Sequence, residues 1–110
     1  MTPEHHLMNE IRLYCGERNW ICIRYNTGTV QDARTGKYID FGPPAGHPDL
    51  IVYTDMGEIM FVETKIHPRK PTQQQLDFIK NMQNRNFLAS VIYNIQEFIE
   101  MSLKLRRPRM

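Results

Sequence analysis

The sequence predicts a small mixed α/β domain, one β-sheet with helices laid against it in the order α-β-β-β-α-β-α. Three observations predict it. Apolar residues recur at helical spacing near the start of the chain and again after residue 72. Runs rich in β-branched and aromatic residues alternate at period two between them. Glycine, proline and aspartate cluster at the boundaries. With 110 residues there is material for one such domain, able to bury roughly two-thirds of its unfolded surface.

The first helix is expected over 4–17, because Pro3 suits a first turn and Leu7, Met8, Ile11, Tyr14 and Cys15 share one face. Residues 20–26 (WICIRYN) alternate and read as a strand. Residues 27–48 carry Gly28, Gly36, Gly42, Pro43, Pro44, Gly46 and Pro48, and are expected to be loop, with room for a short extended piece at 37–41. A connection that long in a small domain is more often functional than idle. Two strands follow at 49–53 (DLIVY) and 59–65 (IMFVETK), joined by a turn in which Gly57 can take positive φ. A second helix is expected over 73–85, capped by Thr72 after Pro71. Residues 88–93 (LASVIY) make the last strand. Asn94 then caps a final helix carrying Ile95, Phe98, Ile99 and Leu103. The domain is expected to span 1–103, with 104–110 as a basic tail.

Composition narrows the function classes. Hydrophobic residues make up 41% of the chain and charged residues 24%, which excludes wholesale disorder. No apolar run approaches the roughly 18 residues of a membrane helix, so no membrane partner is expected. The opening MTPEHHLMNE lacks the basic and apolar stretches of a secretion signal. Cys15 and Cys22 cannot build a disulfide framework and suit a reducing interior, so the expected location is cytoplasmic. Their spacing from His5 and His6 fits no compact zinc-ligand pair, and no histidine is placed to activate a cysteine nucleophile.

Net charge is only +2, but it is unevenly spread. Of 14 basic residues, Lys104, Arg106, Arg107 and Arg109 fall in the last seven positions, leaving 10 against 12 acidic ones in the body. Such a tail is either a hook for phosphates, acting through counterion release, or a solvated terminus. Arg69 and Lys70 form a second basic pair before the second helix.

The most informative feature is an acidic pair. If 49–53 and 59–65 form a hairpin with a three-residue turn at Asp55, Met56 and Gly57, Tyr53 faces Ile59 and Asp49 lies opposite Glu63. Opposed residues stand about 5 Å apart at Cβ. Alternation places Lys65 on the face of Glu63 and Thr64 on the other. Two like charges opposed on paired strands destabilise the sheet unless compensated. Lys65 can compensate in part. A hard divalent cation does so better, since Mg²⁺ is held by one or two carboxylates with water and phosphate completing its shell. That chemistry is metal-assisted phosphodiester hydrolysis, with the lysine orienting the attacking water or neutralising developing charge. The plainer alternative is a surface Glu–Lys pair with an unrelated Asp49 at a strand start.

Taken with GHPDL and FVETK, these residues resemble the PD…(D/E)xK nuclease core and, more narrowly, the virus-type replication–repair nuclease (VRR-NUC) domain. The resemblance extends to RYNTG at 24–28, FGPPAGHPDL at 41–50, ETK at 63–65 and TQQQLDF at 72–78, and so covers nearly the whole chain. It implies a restriction-endonuclease-like fold and an Mg²⁺- or Mn²⁺-dependent endonuclease, with no small-molecule cofactor. By resemblance, Asp49 and Glu63 ligate the metal, the Thr64 backbone carbonyl adds an oxygen, and Lys65 is the catalytic lysine. A first-helix glutamate also belongs to the set. At ~100° per residue Glu4 lies near the centre of the apolar face and Glu10 well away from it, so Glu4 is preferred. Met8 departs from the family pattern, where glutamine is common.

Gln75 carries two readings at once. Thr72-x-x-Gln75 has the spacing of a capping box. Gln75 also shares a face with Phe78, Ile79 and Met82, and the family has a glutamine here, which places it in the catalytic set. His47 reads mainly as a loop histidine held extended by Pro48, although it stands near the proposed metal. Tyr25, Asn26 and Tyr38 flank the long loop, with DNA contact and ordinary strand or turn roles both open.

Stand-alone members of the family the chain resembles are small, often phage-associated, and can act as homodimers on branched DNA, including four-way (Holliday) junctions. For this chain a homodimer on branched DNA is therefore expected, in a bacterial host cell if phage-encoded. The rival readings are an inactive nucleic-acid-binding module on a nuclease scaffold, a flap or nicking nuclease without junction preference, and a sequence-specific restriction-type nuclease. The last lacks the length for a separate base-reading domain.

Overall fold

Thr2 opens the first helix, α1 (Pro3–Glu17), by accepting the His5 N–H at 3.2 Å, with Pro3 in the first turn where no amide is needed. Leu7, Met8, Ile11 and Cys15 form its buried stripe, as the spacing predicts. The computed structural model describes residues 2–25, 28–41 and 46–105. Residues 1, 26–27 (Asn26 among them), 42–45 and 106–110 lie outside them, the last group holding Arg106, Arg107 and Arg109 of the tail expected at 104–110.

The main sheet has four strands in the order β1-β4-β5-β6: β1 (Ile21–Arg24), β4 (Leu50–Tyr53), β5 (Ile59–Thr64) and β6 (Leu88–Ile92). β1 and β5 run antiparallel to β4, and β6 runs parallel to β5. The parallel step requires a crossover, supplied by α2 (Gln73–Asn84). α3 (Ile95–Ser102) follows, capped by Asn94 through its bond from the Glu97 N–H at 2.9 Å. The β4–β5 hairpin has the predicted register, with Leu50 opposite Val62 and Tyr53 opposite Ile59. Thr54 and Glu58 close its turn (Thr54 N to Glu58 O, 2.8 Å), and Gly57 takes φ +78°. Trp20 Nε1 anchors that turn through Asp55 at 3.2 Å.

The sheet separates two apolar layers. Leu50, Val52, Met60 and Val62 pack with Leu7, Ile11 and Phe98 of α1 and α3. On the opposite face Phe61 meets Phe78 of α2 at 5.9 Å and Phe87 at 5.5 Å between ring centroids. Residues on alternate positions of β5 therefore serve different layers.

Two expectations need correction. The stretch 27–48 is not simply loop. The extended piece expected at 37–41 is present as β3 (Tyr38–Phe41), but it pairs antiparallel with β2 (Gly28–Gln31) in a second, two-stranded sheet, so that five strands precede α2 among the described residues. Asp32 organises the connection by accepting the Arg34 N–H at 2.8 Å on its side chain, and Gly36 turns the chain at φ +73°. In α3, Leu103 is not part of the buried stripe. It is the C-cap and is 77% exposed, while Met101 and Ser102 are buried in its stead. The remaining differences are shifts of one or two residues at element ends, β1 starting after Trp20 and β4 after Asp49.

Candidate active site

Asp49 sits one residue before β4, gripped from both neighbouring strands. On one side its carbonyl accepts the Tyr25 N–H at 3.0 Å, continuing the β1–β4 pairing past Arg24. On the other, its Oδ2 accepts two bonds from Thr64, from the backbone N–H at 3.0 Å and from Oγ1 at 2.8 Å. Thr64 is fully buried. Its hydroxyl is a site residue that sequence reasoning missed. Alternation assigned that side chain to the far face, but Asp49 lies in a bend outside the ladder, and its carboxylate turns toward the end of β5. Both bonds fall on one oxygen.

Glu63 is 1% exposed, an unusual burial for a carboxylate. Its Oε1 accepts from Gln75 Nε2 at 2.9 Å and lies 3.7 Å from Lys65 Nζ. Its Oε2 is buried without a hydrogen-bond partner among the described residues. Burial first, and the neighbouring Asp49 charge second, push the Glu63 carboxyl up to about 8, with Lys65 pulling the other way. A buried acid with a bare oxygen beside a second acid is a costly arrangement, and such groups in native folds point to an ion or water.

Gln75 reaches Glu63 from the first turn of α2. Thr72 is the N-cap, with its Oγ1 accepting the Gln75 N–H at 3.2 Å, and Gln75 Oε1 accepts the Thr72 N–H at 2.8 Å. The capping box and the site-facing role coexist in one side chain. The start of α2 is packed tightly against the segment leading to Asp49. Gly46 adopts φ +89°, and a Cβ there would meet the Gln74 carbonyl oxygen at 2.6 Å. His47 follows, wedged between Tyr25 (4.9 Å) and Phe78 (5.4 Å), its Nδ1 donating to Pro48 O at 2.8 Å.

The structure thus gathers Asp49, Glu63, Thr64, Lys65 and Gln75. It does not bring the first-helix glutamates to them: among the described residues no three His, Cys, Asp or Glu side chains converge. Glu4 lies 3.8 Å from Arg69 Nη1 and Glu10 is exposed. The reason is placement: Glu4 stands in the first turn of α1, where Arg69, in the segment after β5, takes its carboxylate. Arg69 as partner of Glu4 was not foreseen, since only the charge of Arg69 was legible. Cys15, in the core, and half-buried Cys22 are free thiols in contact, and the hydrogen bond from Cys22 first, then burial, pushes the Cys15 thiol up.

Chemically, the two acids form a hard oxygen donor set. Each has one oxygen committed to protein donors, and the Glu63 oxygen left over has no geometric hydrogen bond among the described residues, with the Asp49 carboxyl as its neighbour. Mg²⁺ or Mn²⁺ fits such a set, because these ions take one or two carboxylates and keep water or phosphate on the remaining positions.

The class these observations define is an α/β domain with paired carboxylates and a lysine at the edge of its central hairpin. No family model and no curated protein matches the chain. A solved structure described as a VRR_NUC domain superposes with a TM-score of 0.71 at 18% sequence identity, covering 96% of this chain and 100% of that one. The chain has the VRR-NUC fold, a restriction-endonuclease-like mixed sheet flanked by helices. No helix among the described residues is long and apolar enough to cross a membrane.

Proposed function

We propose that this chain is a divalent-metal-dependent DNA endonuclease. The observation that carries the reading is the buried Oε2 of Glu63, without a geometric hydrogen bond among the described residues and beside the Asp49 carboxyl, with Lys65 Nζ 3.7 Å from the same carboxylate. Asp49 and Glu63 would hold Mg²⁺ or Mn²⁺, with the Thr64 carbonyl as a further oxygen donor. Glu4, rather than Glu10, would join once it leaves Arg69. When bound, the ion polarises a phosphate oxygen and lowers the pKa of a bound water.

The chain's own residues supply the rest. Thr64 fixes which oxygen of Asp49 is committed, and so where the other one points. Gln75 does the same for Glu63. Lys65 brings a positive charge to the carboxylate edge, where it steadies the attacking water and offsets negative charge building on the phosphate. Branched DNA, four-way junctions above all, is the proposed substrate and a homodimer the proposed working form. One site cuts one strand, and paired cuts across a junction need two sites related by a two-fold axis. The acids lie at the adjoining ends of β4 and β5, the two central strands, and the proposed recognition is of backbone shape rather than base sequence.

The test is cleavage of labelled four-way junction, flap and linear duplex by the wild type and Asp49→Asn, with Mg²⁺ or with EDTA. The expected result is cutting by the wild type alone, only with metal, and fastest on the junction. Absence of metal-dependent cutting of every substrate contradicts the enzyme and leaves a binding module. Equal rates on flap and junction contradict the substrate preference alone.

A further inference from the structure

We infer that the capping box of α2 is part of the site, and that Thr72 is a positioning residue acting through Gln75 on Glu63. The inference rests on the reading above, that Glu63 takes a cation on Oε2.

Gln75 has one acceptor and one donor end, and both are in use. Its Oε1 is held by the Thr72 N–H at 2.8 Å, and its Nε2 donates to Glu63 Oε1 at 2.9 Å. The two bonds specify each other. Turning the amide over would set NH₂ against the Thr72 N–H and oxygen against a carboxylate, two like-with-like contacts, so the cap selects the orientation that presents a donor to Glu63. That donor commits Oε1 of the acid and leaves Oε2 bare. Without it, the Glu63 carboxylate could rotate to share both oxygens with Lys65 Nζ at 3.7 Å, and the cation would compete with the lysine. Partners behind a metal ligand characteristically set its orientation in this way.

Only the backbone half of the box orients the amide. The other half, Gln75 N–H to Thr72 Oγ1 at 3.2 Å, serves the helix. The two halves can therefore be separated. Thr72→Ala removes the hydroxyl and keeps the N–H. Thr72→Pro removes both, and the Thr72 backbone at φ −73° and ψ 163° already suits proline. Thr72→Ser keeps both.

The experiment is calorimetric titration of Mn²⁺ into metal-free protein, with thermal melts recorded in parallel. Thr72→Ser is expected to match the wild type in both. Thr72→Ala should lower Tm by a few degrees, yet leave Mn²⁺ affinity nearly unchanged. Thr72→Pro should weaken Mn²⁺ binding about tenfold, and add no further loss in a Gln75→Ala background, because it acts through that side chain. Wild-type affinity in folded Thr72→Pro, or additive losses in the double variant, overturns the inference. Should Thr72→Pro not fold, the Gln75 side-chain NH₂ of the wild type decides, identified in NMR spectra by its loss in Gln75→Ala. Slow exchange relative to exposed Gln74 supports the orienting bond, and equal exchange overturns it. A wild type that binds no Mn²⁺ contradicts the proposed function itself, a separate outcome.

Discussion

Thr64 holds Asp49 by two bonds to a single oxygen, the amide at 3.0 Å and the hydroxyl at 2.8 Å, both on Oδ2. One strand of the hairpin thereby orients the acid that precedes the other, and the side chain that does so lies beside Glu63 in sequence. Thr64→Val keeps the shape and the amide but removes the hydroxyl. Cleavage should fall about tenfold, as for other residues that orient a metal ligand. The cost in stability should be about 1 kcal/mol. Single-turnover rates and urea unfolding measure the two effects, and an unchanged rate would remove the hydroxyl from the site.

Glu63 makes the metal-free fold pH-sensitive. Its carboxyl titrates near 8 in the fold against an ordinary value of 4.5, so between those values the folded chain holds a proton that the unfolded chain has released. Stability from this group is present below that window and is lost as pH rises through it. In EDTA, the wild type should therefore be less stable at pH 8.5 than at pH 5.5, and Glu63→Gln should flatten the difference. The gain of Glu63→Gln over the wild type at pH 8.5 should be on the order of 1–3 kcal/mol, since it replaces an ill-compensated buried charge. Mn²⁺ should stabilise the wild type most at the alkaline end. Urea unfolding at both pH values, with and without the ion, checks this.

Gly46 is a point of close approach between the segment entering Asp49 and the first turn of α2, with φ +89° and no room for a Cβ. Gly46→Ala should cost about 2–3 kcal/mol, through backbone strain and displacement of Gln74. Because the same turn carries Gln75, Mn²⁺ affinity should fall as well. Denaturant midpoints and calorimetry report the two losses, and a variant as stable as the wild type would show that the approach is not needed.

The first-helix glutamates separate by placement. Glu4 is partly buried and paired with Arg69 at 3.8 Å, while Glu10 faces solvent. Glu10→Gln should leave cleavage unchanged. Glu4→Gln should slow it about tenfold, and Asp49→Asn at least about 100-fold, in line with loss of a supporting and of a central ligand. Initial rates on one DNA substrate rank the three, and loss of activity in Glu10→Gln would reverse the assignment.

Much of this arrangement was legible in the sequence, and for identifiable reasons. The hairpin register follows from the alternation of DLIVY and IMFVETK together with a glycine where the turn needs positive φ, so the pairing of 50–53 with 59–62 could be read directly, with Asp49 and Glu63 just beyond it. Thr72-x-x-Gln75 announced the cap, and the apolar spacing around Gln75 announced its inward side. The rest depends on contacts that periodicity does not encode. The Thr64 hydroxyl reaches Asp49 because that residue lies in a bend, beyond the ladder whose alternation was used to predict faces. β3 answers to the extended piece expected at 37–41, but β2 is four residues long and set among glycines, so composition concealed it and the pairing of the two. Arg69 meeting Glu4 joins a loop after β5 to the start of α1, a tertiary contact with no local signal.

The most direct test of the central claim is the anomalous difference map of crystals soaked in Mn²⁺. The account predicts one strong peak bridging Asp49 and Glu63, ligated by Glu63 Oε2, with Gln75 still bonded to Oε1. A map in which Mn²⁺ occupies other positions and the Asp49–Glu63 pair holds none would contradict it.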